Sequence, residues 1–220
     1  MSGPLGLLLD LLFPPKCVFC HKLLGRGEEG FCADCQEKLP WALGQEAEQK
    51  GEFFSLCASP LWYQERVRQS IHRYKFKGVR GYDQVYGRLV AQCIRDHLTQ
   101  RYDLITWVPL SPERRRQRGY DQAMLLALST ALELDDVAAE TLRKVRHTDA
   151  QSGLGPQDGA RRANVLGAYQ ITDPELVADK RILLIDDVIT TGSTISECAR
   201  ILRTAGAVDV VCATLARARR

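Results

Sequence analysis

Residues 182–194 combine two carboxylates with a loop of hydroxyl-bearing side chains around one glycine. Their sequence is Ile-Leu-Leu-Ile-Asp-Asp-Val-Ile-Thr-Thr-Gly-Ser-Thr. A loop of this kind presents backbone N–H groups to an anion, and a helix N-terminus beside it favours negative charge. Carboxylates at a strand end accept hydrogen bonds from sugar hydroxyls or lie near a divalent cation. The run therefore predicts a site for a ligand with hydroxyls at one end and a phosphate at the other.

The elements around this run would position it at the edge of a parallel sheet. The four apolar residues 182–185 are typical of a strand buried on both faces, which is predicted over 181–185, and a helix is predicted over 193–204. Open parallel sheets bind ligands at the carboxyl ends of their strands. Neighbouring strand side chains point to opposite faces, so both aspartates reach a sugar only if the strand ends between them. A strand end followed by a simple Ser/Thr-capped helix is the alternative, but a cap does not need this many polar side chains.

A second candidate group is cationic and follows a strand predicted at 103–108. Residues 111–119 are interpreted as a basic loop with four arginines that leads into a helix over 120–134. Further basic clusters lie at 73–80, 143–146 and 161–162. Most such clusters are solvated faces. Several of these nevertheless lie where they can converge on one anionic ligand.

Four of the eight cysteines form two C-x-x-C pairs separated by eleven residues. Two such pairs fold as knuckles around one tetrahedral Zn²⁺, and four thiolates leave no open position for catalysis. A redox role is the alternative, although redox motifs are rarely doubled at this spacing. The sequence therefore predicts a structural zinc site at Cys17, Cys20, Cys32 and Cys35. His21 is interpreted as a surface neighbour, and the single cysteines as buried small hydrophobic residues: Cys57, Cys93, Cys198 and Cys212.

The length of 220 residues and the net charge of +3 fit one medium domain with a small appendage. An N-terminal helix and zinc module are predicted at 1–40, a polar linker at 41–52 and the main domain at 53–220. Helices are predicted at 65–76 and 82–98, and short strands at 53–63, 141–145 and 208–215. Alternating strands and helices predict an α/β fold with a parallel sheet. Residues 146–164 are predicted to form a long functional loop.

The apolar segments are too short to span a bilayer, so no membrane span is predicted. Residues 5–13 are apolar but contain Asp10 and lack a basic leader, which favours a docking helix over a signal peptide. We therefore expect a cytoplasmic protein in a reducing compartment, where a disulfide framework is improbable.

The run at 182–194 resembles the phosphoribosyl pyrophosphate signature of type I phosphoribosyltransferases. The rest of the chain narrows the likeness to the competence protein F (ComF/ComFC, GntX-like) family. Five segments of this chain resemble motifs of that family. They are Phe13-Pro14-Pro15-Lys16-Cys17, Tyr74-Lys75-Phe76-Lys77-Gly78, Val108-Pro109-Leu110, Arg118-Gly119-Tyr120-Asp121-Gln122, and Gln151 with Arg161, Asn164 and Gly167. Asp121 departs from the family's usual Asn, since it adds a charge and removes a donor, and its role stays open.

The resemblance implies a type I phosphoribosyltransferase fold with an N-terminal zinc-ribbon-like module. It implies binding of phosphoribosyl pyrophosphate, or a related nucleotide, together with Mg²⁺. Asp186 and Asp187 would be the catalytic residues at the ribose hydroxyls. The 5′-phosphate would bind to Thr190, Thr191, Gly192, Ser193 and Thr194. Candidates for the pyrophosphate are Arg114, Arg118 and Lys75.

Three functions remain open at this point. The first is a phosphoribosyltransferase with an unknown acceptor. The second, implied by the resemblance to competence proteins in DNA uptake and natural transformation, is a single-stranded DNA-binding module beside a helicase-like (ComF-type) partner. Bases would stack on Tyr74, Phe76, Tyr82 and Tyr120, unless these aromatics belong to the core and the arginines serve pyrophosphate. The third, nucleobase salvage, is less favoured because salvage transferases do not need a four-cysteine module.

Overall fold

A mostly parallel β-sheet forms the centre of the computed structural model, which describes residues 14–79, 81–146 and 165–219. The sheet strands are β1 Glu48–Gln49, β2 Leu56–Ala58, β3 Leu61–Trp62, β4 Leu104–Trp107, β7 Arg181–Ile189 and β8 Asp209–Arg217. Strand β7 lies between β8 and β4, and β2 and β3 both pair with the far side of β8 in parallel. The edge strand β1 pairs with β2 antiparallel. A separate antiparallel pair consists of β5 Leu142–Lys144 and β6 Tyr169–Ile171.

Helices lie on both faces of this sheet. They are α1 Ala33–Lys38, α2 Glu65–Phe76, α3 Tyr82–His97, α4 Pro112–Arg118, α5 Gln122–Glu133 and α6 Ser193–Thr204. Helices α2 and α6 have the bounds that their apolar spacing predicts. Together with the parallel strands, they confirm the predicted α/β architecture.

Strand β7 is buried on both faces because its side chains alternate between two cores. Leu183 and Ile185 pack in a core that contains residues of α2, α3 and α5. Ile182 and Leu184 pack on the opposite face, where Leu202 and its neighbours on α6 cover the sheet. The continuous apolar run of the sequence thus corresponds to a central strand, as predicted.

The predicted basic loop at 111–119 is wrong, because residues Pro112–Arg118 form helix α4. Ser111 caps this helix by accepting a hydrogen bond from the Arg114 N–H at 3.4 Å, and Pro112 occupies the first turn. Gly119 ends it in a left-handed conformation with a φ of 76°. These are the start and stop signals of a helix. The four arginines between them gave the segment the composition of a loop, which led to the wrong prediction.

The end of strand β7 also differs from the prediction. The strand continues past residue 185 to Ile189, because β8 extends alongside it and pairs Ile189 with Arg217. Residues 41–52, predicted to be a linker, include a 3-10 turn at Gly44–Ala47 and strand β1. Ala47 is fully buried there. Strand β6 was not anticipated from the sequence.

The zinc module shares a core with the larger domain. Cys17, Phe19 and Cys35 pack in the same buried cluster as residues of α2 and α3. The predicted docking helix at 5–13, most of the predicted loop at 146–164, and the motif residues Phe13, Gln151, Arg161 and Asn164 lie outside the described residues. Within the described ranges, the helices are all too short or too polar to cross a membrane. The single cysteines are buried free thiols, as predicted: Cys57, Cys93, Cys198 and Cys212.

Candidate functional site

A cavity of about 420 Å³ opens beside the carboxyl ends of β4 and β7. It brings together nearly all of the site residues that the sequence predicts. The acidic pair, the hydroxyl loop and the three candidate cations line it: Asp186, Asp187, Thr190, Thr191, Ser193, Thr194, Lys75, Arg114 and Arg118. Gly192 lines a smaller adjoining hollow of about 50 Å³ with its loop neighbours. Segments more than 100 residues apart in the chain, at Lys75 and Asp187, therefore meet at one site.

The hydroxyl loop lies at the start of α6 and depends on Gly192. This residue has a φ of 78°, in the left-handed region that favours glycine. The turn brings the Thr191 Oγ1 within 2.9 Å of the Ser193 Oγ, and the Ser193 N–H donates to Thr191 Oγ1 at 3.4 Å. Helix α6 is twelve residues long, so its N-terminus directs a partial positive charge into the loop. The loop is thus built to receive an anion.

The acidic pair lies between this loop and the cations. Asp187 Oδ1 is 2.7 Å from the Lys75 Nζ, in an ion pair that is mostly buried. Asp186 Oδ1 accepts a hydrogen bond from the Asp187 N–H at 2.8 Å, which draws its side chain back toward its neighbour. Burial, reinforced by the charge of Asp187, raises the pKa of Asp186 well above its usual range. Although β7 does not end between them, both carboxylates face the same cavity.

The arginines come from α4, which presents residues four apart on one face. Arg114 and Arg118 line the cavity, whereas Arg115 and Arg116 are exposed. The Arg118 Nη1 donates to Gln122 Oε1 at 2.6 Å. Its guanidinium also lies 4.8 Å from the centre of the Phe76 ring. Arg118 is therefore held in place before any ligand arrives.

Lys144 and Tyr169 also line the cavity, and sequence reasoning did not assign them to it. The Lys144 Nζ lies 5.1 Å from the centre of the Tyr169 ring. Burial, with the nearby charge of Arg114, lowers the pKa of Lys144 to about 8. The signal that could have found Lys144 is its basic cluster at 143–146. Its partner Tyr169 lies on β6, the strand that the sequence did not predict.

Asp121 has a structural role that its charge alone did not suggest. Its Oδ1 accepts from the Met124 N–H at 3.2 Å and caps α5, while its Oδ2 accepts from the Leu110 N–H at 2.8 Å. The side chain thereby ties the end of β4 to the start of α5 around α4. Burial raises the pKa of Asp121, so the two backbone N–H groups hold a carboxylate in a desolvated place.

Most of the aromatics proposed to stack on bases belong to the core instead. Tyr74, Tyr82 and Tyr120 are at most 6% exposed. The Tyr74 hydroxyl donates to the Gln122 carbonyl at 2.9 Å. Phe76, at 59% exposed, is the member of the set that solvent reaches.

The four paired cysteines form a cluster suited to zinc. Their Sγ atoms all lie within 4.8 Å of one another, and the Cys20 and Cys32 Sγ atoms are 3.6 Å apart. A tetrahedral site with Zn–S bonds of about 2.3 Å needs sulfur separations of about 3.8 Å. The donor set therefore fits zinc, and His21 is exposed beside it.

Comparison with known proteins agrees with the fold of both parts of the chain. Residues 121–220 match the phosphoribosyl transferase domain, and residues 8–65 match the double zinc ribbon domain. The chain is 31% identical to Competence protein F of Haemophilus influenzae, over 92% of this chain and 97% of that protein. The chain belongs to the competence protein F family.

Other members of the family align over a similar extent. Competence protein ComFC of Streptococcus pneumoniae is 28% identical over 92% of this chain and 100% of its own length. DNA utilization protein YhgH of Salmonella typhimurium is 32% identical over 93% and 100%. Among solved structures, the allosteric regulatory enzyme of purine biosynthesis is 23% identical, with a TM-score of 0.42, covering 61% of this chain and 25% of that chain. Membership confirms the resemblance, the phosphoribosyltransferase fold and the zinc-ribbon module, and it supports a structural zinc site.

Proposed function

We propose that this competence protein F relative binds phosphoribosyl pyrophosphate with Mg²⁺ and transfers the phosphoribosyl group to an acceptor. One observation carries the proposal. A single cavity places an anion-binding loop, two carboxylates and four cationic side chains around one space. That order matches a ligand with a phosphate at one end, hydroxyls in the middle and a diphosphate at the other end.

Each part of the ligand would meet a different part of the cavity. The loop Thr190–Thr194 would hold the 5′-phosphate through backbone N–H groups and hydroxyls. Asp186 and Asp187 would accept from the ribose hydroxyls. The diphosphate would meet Arg114 and Arg118, whose planar guanidinium groups suit phosphate oxygens, and the lysines Lys75 and Lys144.

The oxygen donors of the cavity also suit Mg²⁺. This ion usually binds one or two carboxylates together with substrate phosphates, and the acidic pair lies within reach of the space proposed for the diphosphate. When bound, Mg²⁺ would neutralise charge on the departing diphosphate. Lys75 forms an ion pair with Asp187 in the structure described here. That ion pair would rearrange when the ligand and the cation enter the cavity.

The transfer requires the bond between C1 and the diphosphate oxygen to break, with its electron pair leaving on the diphosphate. An acceptor then forms a bond to C1 through its own electron pair. Positive charge develops on the ribose ring as the first bond lengthens, as in glycoside cleavage. The carboxylates of Asp186 and Asp187 would stabilise that charge, while the arginines would stabilise the leaving group.

Isothermal titration with phosphoribosyl pyrophosphate and Mg²⁺ tests the binding step. We expect the double variant Asp186→Asn/Asp187→Asn to lose at least about 100-fold in affinity, since it removes both carboxyl groups that would accept from the ribose hydroxyls. Asp96→Asn, at an exposed carboxylate on α3, is the matched control and should bind as the wild type does. Equal binding by the double variant, or no binding by the wild type, would refute the proposal. Diphosphate release in a screen of acceptors tests the transfer step.

Single-stranded DNA binding is a second candidate, and the groove along α2 favours it. A groove of about 560 Å³ is lined by one carboxylate and by mostly basic or polar side chains: Glu65, Arg68, Gln69, His72, Arg73 and Lys77. The exposed Phe76 ring lies 4.8 Å from the His72 ring at one side of this surface. Cations beside an exposed ring are the features that bind a strand without sequence preference, and the relatives are named for competence and DNA utilization.

Fluorescence anisotropy with a labelled oligothymidine tests this second function. We expect Phe76→Ala to weaken binding roughly tenfold, the effect of losing one stacked base. Leu132→Ala removes another exposed apolar side chain, from α5, and should leave affinity unchanged. Affinity should fall steeply with salt. No signal at low salt, or equal losses in both variants, would remove this candidate.

A further inference from the structure

Helix α2 contacts the zinc module with one set of side chains. The Arg73 Nη2 donates to the carbonyls of Val18 and Phe19 at 2.9 and 2.6 Å, and Ser70 donates to the same Val18 carbonyl. These two carbonyls lie between the cysteines of the first C-x-x-C pair. One turn before Ser70, the Arg66 Nη1 is 2.7 Å from Asp34 Oδ2 and 3.7 Å from the Cys35 Sγ. The face of α2 formed by Arg66, Ser70 and Arg73 therefore holds both cysteine knuckles.

The last turn of the same helix enters the ligand cavity. The Lys75 Nζ is 2.7 Å from Asp187 Oδ1. Lys75 follows Arg73 by two residues, which is about 3 Å along a helix axis. A displacement of the helix at Arg73 therefore reaches Lys75 almost undiminished, because the intervening backbone is rigid.

A row of packed aromatic rings connects the same two regions. Phe19, between the cysteines, lies 6.0 Å from Tyr86 on α3. Tyr86 lies 5.3 Å from Tyr74, and Tyr74 lies 5.9 Å from Tyr120. Tyr120 lies two residues after the end of α4, the helix that carries the two cavity arginines. All four rings are buried, so the row has little room to absorb a movement at either end.

We propose that α2 couples the two sites: zinc in the cysteine cluster fixes the position of Lys75 at the cavity, where its amine would meet the diphosphate, and Arg73 is the positioning residue that connects them. Loss of zinc then weakens binding of phosphoribosyl pyrophosphate. Because coupling between binding sites is reciprocal, the bound ligand strengthens retention of zinc by the same factor. The proposal rests on the function proposed above.

The expected coupling is partial. Hydrogen-bond geometry tolerates shifts of only a few tenths of an ångström before the interaction weakens, so Lys75 is sensitive to the position of α2. The contact of Tyr74 with the Gln122 carbonyl at 2.9 Å also fixes the helix, however, independently of zinc. We therefore expect a change on the order of five- to tenfold, toward the lower end of measured coupling factors.

Competition with a chromogenic zinc chelator measures the coupling without relying on turnover. Phosphoribosyl pyrophosphate with Mg²⁺ should raise the zinc affinity of the wild type by that factor. Arg73→Ala should remove the ligand's effect, and Arg73→Lys should restore part of it. Arg88→Ala is the matched control, because Arg88 contacts Glu29 of the zinc module from α3 at 3.3 Å, a helix without a cavity side chain in the described structure. Ligand that binds yet leaves zinc affinity unchanged, or an Arg88→Ala effect equal to that of Arg73→Ala, would overturn the proposal.

Amine labelling followed by mass spectrometry keeps the test decisive if the ligand does not bind at all. Removal of zinc should raise the reactivity of Lys75 several-fold. Lys144, which lines the same cavity from β5, should keep its reactivity as long as the sheet stays folded. If the zinc-free protein unfolds, the zinc-loaded Arg73→Ala variant replaces it in the same measurement. Unchanged Lys75 reactivity would overturn the coupling, whereas failure of ligand binding alone would overturn only the proposed function.

Discussion

The two halves of the cavity are built in different ways. The half formed by the carboxylates and the hydroxyl loop comes from one continuous segment, the end of β7 and the start of α6. The cationic half comes from three separate elements, with Lys75 on α2, Arg114 and Arg118 on α4 and Lys144 on β5. The first half has its geometry fixed by local backbone conformation. The second exists only after distant segments have packed.

This difference indicates how each half should respond to change. A local half fails when its backbone conformation is altered, because each N–H group depends on the same turn. An assembled half loses one contact at a time, because its cations are anchored independently. The following variants test that contrast, in order of decreasing expected effect.

Gly192→Ala should have the largest effect on binding. Gly192 has a φ of 78°, and a Cβ at such a position adds strain of roughly 1–2 kcal/mol. Relaxation of that strain would move several N–H groups away from the 5′-phosphate, so we expect a loss of at least about 100-fold in titration calorimetry. Gly206→Ala is the matched control, with a φ of 100° beyond the other end of α6. It should lower stability by a similar amount without changing affinity. If the two variants bind the ligand equally, the geometry of the half that contains the hydroxyl loop is not fixed by local backbone conformation.

Arg118→Ala should have an intermediate effect. It removes the one charged contact that we propose between this side chain and the diphosphate, and a charge-assisted hydrogen bond of about 1.5–2 kcal/mol corresponds to roughly a ten- to thirtyfold loss in affinity. Arg116→Ala, at an exposed position on the same helix, should bind normally. A loss as large as that for Gly192→Ala would show that the cations act as one unit.

Lys144 predicts a pH dependence. With its pKa at about 8, the side chain is charged below that pH and meets the diphosphate without taking up a proton. Above pH 8 the neutral amine must first gain a proton, so affinity should fall by up to about tenfold per pH unit. Titrations from pH 7.5 to 9.5 measure the slope. Lys144→Arg should flatten it, whereas Lys180→Arg, at a half-buried site that does not line the cavity, should not. If affinity still falls with pH in Lys144→Arg, the pH dependence belongs to another group.

Asp121→Asn should have the smallest effect on binding. Asp121 offers one oxygen to each of two N–H groups, and an asparagine offers only one acceptor for both. Loss of one hydrogen bond should lower the free energy of unfolding by about 1 kcal/mol in urea denaturation. Ligand affinity should stay within about twofold. A larger loss of affinity would mean that Asp121 acts on the ligand, beyond its role in capping α5.

Some features of the structure could be predicted from the sequence, for physical reasons. Amphipathic spacing predicted the bounds of α2 and α6, because a buried face leaves a regular apolar pattern. The cysteine spacing predicted the cluster that the structure brings together. In the run at 182–194, strand, acidic pair and loop are adjacent in the chain, so their proximity in space needed no tertiary information.

Other features were not accessible in this way. The caps of α4 are present in the sequence, but four arginines gave the segment the composition of a loop. Tyr74, Tyr82 and Tyr120 lie among basic residues in the sequence. That pattern does not distinguish aromatic side chains that stack on bases from those that pack in the core. Strand β7 extends to Ile189 because β8 continues beside it, and pairing with a distant strand leaves no local signal.

The sequence by itself determined the four-cysteine motif and the run of acidic and hydroxyl residues at 182–194, because each is encoded by short spacings along the chain. Only the tertiary structure decided which cations face the acidic pair, since Lys75, Arg118 and Lys144 arrive on three elements packed around the sheet. It also decided that α2 carries both the contacts to the zinc knuckles and the lysine on Asp187. Such links depend on how helices pack, which is set by the whole core rather than by any local pattern.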